Sequence, residues 1–128
     1  MRPNLALGEK PLDWVGSSKQ DFLAFPLPVQ REIGNALGLA QFGGKHPNAK
    51  PWKGEGPGVF EVVDDFDGDT YRAVYTVRFR HVVYVLHAFQ KKSPRGKKTA
   101  RTDIELIARR LKLARQIAIK VGIASDRL

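Results

Sequence analysis

Between Val59 and Gln90 three runs, VFEVVDDF, TYRAVYTVRF and VVYVLHAFQ, carry the β-branched and aromatic residues of extended strands. Asp67-Gly68, a dipeptide suited to a tight hairpin turn, separates the first two, so the runs predict an antiparallel meander. In the middle run, alternation puts Tyr71, Ala73, Tyr75, Val77 and Phe79 on one face and Arg72, Val74, Thr76, Arg78 and Arg80 on the other. The first face reads as core and the second as a polar surface bearing three arginines. The third run is apolar on both faces, as a central strand requires.

Upstream the period changes. LDWVGSS reads as a short first strand ending at Gly16, and Ser18 with Asp21 three residues later signals a helix start. Pro26 and Pro28 interrupt it. From Pro28 to about Phe42, Ile33, Leu37 and Ala40 recur at helical spacing, with Gly43-Gly44 as the stop. Residues 43–58, GGKHPNAKPWKGEGPG, are so rich in Gly and Pro that they read as a surface loop. From Thr99 to about Val121, Ile104, Ile107, Ala108, Leu111, Ala114 and Ala118 mark an amphipathic helix able to cover the sheet. These elements predict a single α+β domain over residues 1–128, with 1–10 and 122–128 as loose tails.

Charge sharpens this picture. The formal net charge is +9. Residues 91–120 hold eleven Lys or Arg against Asp103 and Glu105, so this segment equals the whole excess and the remainder balances. Such a concentration is the footprint of a polyanion, nucleic acid above all, because each neutralised phosphate releases condensed counterions. An anionic membrane surface is the rival reading. No run approaches the roughly 20 apolar residues of a membrane span and the first residues lack a signal-peptide pattern, which places the chain in the cytoplasm. The absence of cysteine removes disulfides and thiolate metal sites.

Several constellations fail on inspection. The cluster Asp64, Asp65, Asp67 and Asp69 puts Thr70 where a calcium loop needs glycine and Thr76 where it needs Glu, so it reads as a solvated hairpin tip. GKKT at 96–99 lacks the first glycine and the hydroxyl residue of a phosphate loop. His46, His81 and His87 are too scattered for a metal centre, and His87, inside an apolar strand, reads as a hydrogen-bonded structural residue. Nothing calls for a cofactor or a metal. Trp14 reads as packing; Trp52, between Lys50 and Lys53, fits packing and base stacking equally. The charges of the last helix read as solvated. Lys91 and Lys92 differ, because they end a central strand beside the arginine-bearing face, where Lys50 and Lys53 can join them in a concave cationic surface.

The segments YRAVY, VLHAFQKKS and DIELIARRL, in that order and with FPLPVQREIGNALGLAQFGGKHPNAKPWKG before them, resemble the phage-derived Gp49-like branch of the RelE/ParE toxins, which includes HigB-type toxins. The similarity spans roughly residues 11–115. It implies a microbial-RNase-like α+β fold: a small antiparallel sheet with two N-terminal helices and a C-terminal helix packed on one face. It implies also a type II toxin that cleaves messenger RNA on the ribosome and is neutralised by an antitoxin, in this branch often a helix-turn-helix protein. By the same resemblance Arg72 falls on the arginine that contacts the scissile phosphate, and Lys91 and Lys92 fall in the basic segment ending the last strand. Lys50, Lys53, Arg78, Arg80, Arg95, Lys97 and Lys98 are the expected RNA contacts. Where many relatives carry basic residues in the preceding strand, this chain reads Glu61, Val62 and Val63. The alternatives are a ParE-like inhibitor of DNA gyrase and a non-enzymatic phage protein that binds nucleic acid.

Overall fold

A computed structural model describes residues 5–91 and 99–126, with side chains as far as Gly122. Its elements are β1 (Leu12–Trp14), α1 (Ser18–Leu23), α2 (Leu27–Gln41), β2 (Ala49–Pro51), β3 (Val59–Phe66), β4 (Asp69–Thr76), β5 (Val83–Lys91) and α3 (Arg101–Asp126). They build one five-stranded sheet in the order β1-β5-β4-β3-β2. The meander β3-β4-β5 is antiparallel as the alternation predicts, with Val63 opposite Arg72 and Arg72 opposite Phe89. Its first turn takes Asp67 and Gly68 through positive φ, 52° and 83°. That backbone matches strand twist, and it suits Asp and Gly.

Two edges depart from the expected all-antiparallel sheet. β1 runs parallel to β5, with Leu12 opposite Val83. At the other edge lies β2, inside the stretch read as a loop: Ala49, Lys50 and Pro51 stand opposite Val62, Glu61 and Phe60. Proline is tolerated there because an edge strand has one flank without a partner. Pairing with β3 therefore overrides a composition that argues for a loop.

The helices divide between both faces of the sheet, where the expectation had all three on one. Tyr71, Ala73 and Tyr75 pack against Phe22 of α1 and Val29, Ile33 and Leu37 of α2. On the opposite face Val74, Tyr84, Leu86 and Phe89, with Val59 and Trp52, meet Ile107, Leu111 and Ala114 of α3. The reason is visible in β4: Val74 and Thr76, on the face read as polar, are fully buried, Val74 in the cluster that the apolar stripe of α3 completes and Thr76 with its Oγ1 donating to the Gly58 carbonyl at 2.8 Å. Each fully buried aliphatic side chain on that stripe contributes about 1.5–3 kcal/mol. β4 also ends at Thr76, so Arg78 and Arg80 lie in the connection to β5 rather than on the strand.

Polar stitches fix the layers. Ser17, not Ser18, is the cap residue of α1, and its Oγ donates to Asp21 Oδ2 at 2.8 Å. Ser18 is buried instead, its Oγ donating to the Val85 carbonyl at 3.1 Å. From α3, Arg110 donates through Nη1 to the Leu86 carbonyl (2.9 Å) and through Nη2 to Ser17 Oγ (3.0 Å). Lys10 is tied to the end of α2: its N–H donates to the Gln41 carbonyl, and Gln41 Nε2 donates to the Lys10 carbonyl, both at 2.8 Å.

Candidate nucleic-acid site beneath the start of the last helix

Four consecutive strands place Lys50, Glu61, Arg72 and Lys91 on the face of the sheet that α3 covers. Lys50 of β2 stands opposite Glu61 of β3; Arg72 of β4 stands opposite Phe89 of β5; Lys91 stands opposite Thr70. Alternation along each strand keeps these side chains on one surface. The cleft they form is lined by Lys50, Trp52, Lys53, Glu61 and Arg72, and Thr99 and Ile104 close it from the α3 side. A neighbouring cleft shares Thr99 and is lined by Lys91, Phe89, His87 and Asp103.

Glu61 sits between two cations. Its Oε1 lies 3.4 Å from Lys50 Nζ and 3.3 Å from Arg72 Nη1. The Arg72 side chain is 12% exposed and the Glu61 side chain 8%, whereas Lys50 is largely in solvent. Arg72 Nε is buried and donates to no described residue. Lys91 belongs to the same electrostatic group: desolvation lowers its pKa, Arg72 and Lys50 lower it further, and Glu61 opposes them. Fixed cations beside a lysine that loses its proton more readily than usual can hold an anion and exchange protons with it.

The structure brings together Arg72, Lys91, Lys50 and Lys53 of the residues singled out from sequence. Arg78 goes elsewhere. Its Nε and Nη2 donate to the Pro57 carbonyl at 3.0 and 2.9 Å, and Nη2 also donates to the Glu55 carbonyl, so its guanidinium is spent on the 55–58 loop. Arg80 is exposed in the β4–β5 connection, at the end of the sheet opposite to Lys91. Lys92, Arg95, Lys97 and Lys98 lie outside the described residues.

Trp52 is 7% exposed, donates its backbone N–H to the Val59 carbonyl and fills the second core, so packing is its main role. His87 is the hydrogen-bonded residue its setting suggests: Nε2 lies 2.7 Å from Asp103 Oδ1 and the ring stacks on Phe89 at 4.5 Å, tying β5 to the first turn of α3. Sequence reasoning passed over Glu61 as a site residue. A signal was present, since Glu61 departs from the family pattern that the sequence resembles, but only the register shows that it faces the cations. Among the described residues no group of His, Cys, Asp or Glu is arranged to hold a metal ion, and no helix is long and apolar enough to cross a membrane.

This arrangement of sheet and helices is a RelE-type α+β fold. The structure of E. coli toxin RelE, an arginine double mutant in the free state, superimposes with a TM-score of 0.53 at 17% identity, covering 81% of this chain and 96% of that one. The RelBE2 toxin-antitoxin complex from Mycobacterium tuberculosis contains a chain that matches with a TM-score of 0.41 at 18% identity, covering 70% of this chain and 100% of that one. Residues 20–112 match the sequence model of the family described as phage derived protein Gp49-like (DUF891), and the chain belongs to that family. No curated protein matches it.

Proposed function

We propose that the protein is the toxin of a type II toxin-antitoxin pair and that it cleaves messenger RNA on the ribosome. The observation that carries this reading is the electrostatic grouping of Arg72, Lys50 and Lys91, from three different strands, across two neighbouring clefts of a RelE-type sheet. RNA cleavage by attack of a 2′-hydroxyl on the adjacent phosphate builds negative charge on the non-bridging oxygens. Cations already aimed at that position lower the barrier without reorganising. Arg72 is the best placed, because Glu61 fixes its guanidinium and its side chain lines the cleft. Lys50 and Lys53, at the solvent side, attract and align the backbone.

The partners in this reading are a translated message and a cognate antitoxin, of helix-turn-helix type, that covers the cationic surface. A short induced pulse in a bacterial host tests it, with 5′ ends mapped on a few translated messages for the parent and for Lys91→Ala with Lys92→Ala. New cuts that require translation and vanish in the double variant are the expected result. Growth arrest with intact messages and a DNA-damage response would move the assignment to gyrase inhibition.

A further inference from the structure

Glu61 is a costly residue to place where it is. Its neighbour on the same face of β3, Val59, packs into the core under α3, and a carboxylate there must be compensated. Neutralising Arg72 would explain it if the pair were optimised. An optimised arginine-carboxylate pair is a fork on a fork, two parallel hydrogen bonds using both oxygens. Here the contact is single: Nη1 reaches Oε1 at 3.3 Å, Lys50 reaches the same oxygen, and Arg72 Nε is left buried without a partner among the described residues. Oε2 accepts from no described residue, although the side chain lines the cleft. One oxygen is thus held in place and the other is available.

We propose that Glu61 is the general base of the cleavage reaction, taking the proton of the attacking 2′-hydroxyl on Oε2. This rests on the RNA-cleaving reading above. As the bond from O2′ to phosphorus forms, the proton passes to Glu61. The bond from phosphorus to O5′ breaks, and the leaving oxygen takes a proton from the Lys91 ammonium. The products are a 2′,3′-cyclic phosphate and a 5′-hydroxyl. Transfer through water from protonated Glu61 to neutral Lys91 resets both groups. Arg72 and Lys50 carry the phosphate charge meanwhile, and their shared grip on Oε1 holds the carboxylate in the cleft wall.

Single-turnover cleavage of a short message on programmed ribosomes tests this with the parent, Glu61→Gln and Glu61→Ala. Glu61→Gln keeps the shape and the hydrogen bond to Arg72 but cannot take the proton. It should cut at least about a hundredfold more slowly, while ribosome binding stays within about threefold of the parent or tightens through the loss of a negative charge. Added formate should restore part of the rate to Glu61→Ala, a rescue that a purely structural carboxylate would not show. Should neither variant fold, Glu61→Asp, which keeps the charge and withdraws the oxygens by one methylene, must cut more slowly than the parent, and an unchanged rate overturns the assignment. Glu61→Gln cutting as fast as the parent, or faster, sinks the proposal alone and makes Glu61 a brake on the cations. A parent that leaves translated messages intact sinks the RNA-cleaving reading, and this proposal with it.

Discussion

Arg72 and Glu61 meet diagonally across the β3–β4 pair through one nitrogen and one oxygen, 3.3 Å apart, on the face covered by α3. Each is the least solvated charged partner the other has. Their fates under mutation are therefore linked.

Arg72→Ala should abolish growth inhibition at equal expression and lower stability by about 1–3 kcal/mol, because Glu61 keeps only the exposed Lys50 as partner. Adding Glu61→Ala should return part of that stability without returning activity, since the uncompensated charge is removed. Denaturant unfolding of the two single variants and the double gives the coupling directly. A double variant whose loss equals the sum of the singles would show that the contact is energetically idle.

Lys91→Arg separates charge from proton transfer. Arginine holds a phosphate but does not give up a proton near neutral pH, so binding to programmed ribosomes should persist while cleavage falls by about 10²–10⁴-fold. Burial, Arg72 and Lys50 all lower the Lys91 pKa. Lys50→Ala removes one of these like charges, so the acid form of Lys91 persists to higher pH and the alkaline limb of the activity profile should move upward. A limb that stays still, or moves down, assigns that titration to another group.

Tyr75 sets a limit on alkaline stability. Burial in the first core pushes its pKa up to about 12, whereas an unfolded tyrosine ionises near 10. The folded state thus retains a proton that the unfolded state has lost. Stability contributed this way is complete below pH 10 and declines towards pH 12, by about 1.4 kcal/mol per pH unit at most. Tyr75→Phe should flatten that part of the curve relative to the parent, read as the difference between two denaturant titrations at matched pH.

Arg110 is a structural residue among cationic neighbours. Alanine there leaves the Leu86 carbonyl and Ser17 without their donor and should cost about 2–4 kcal/mol in unfolding free energy while sparing ribosome binding. Gly16→Ala should behave similarly, since Gly16 has φ of 59° and an added Cβ would lie 2.8 Å from Arg110 Nε. Exposed Arg109→Ala is the control, expected within about 0.5 kcal/mol of the parent.

The meander was legible because β3, β4 and β5 carry strand-forming residues and Asp67-Gly68 marks the turn between the first two. β2 was hidden, since a strand of Ala49, Lys50 and Pro51 has no pattern of its own and exists only through pairing with β3. The side of the sheet taken by α3 was misread because Arg72 and Arg78 drew attention from Val74 and Thr76, which are the buried members of that face. Arg78 illustrates a limit of charge counting: its guanidinium serves two backbone carbonyls, and no sequence pattern announces a cation committed to a loop. Arg72, Lys50, Lys53 and Lys91 were named from sequence and converge in space. Glu61 was noticed as a departure, and only three-dimensional register turned it into a neighbour of the cations.

The parallel pairing of β1 with β5 also orders events during synthesis. Leu12 leaves the ribosome early, yet its partner Val83 belongs to the last strand to be made. Until β5 emerges, the first strand has no neighbour, and until α3 follows, Val74, Leu86 and Phe89 have no cover. A nascent chain therefore holds scattered charges rather than an assembled cleft, and order of emergence acts as a delay between translation of the protein and the completion of its cationic surface.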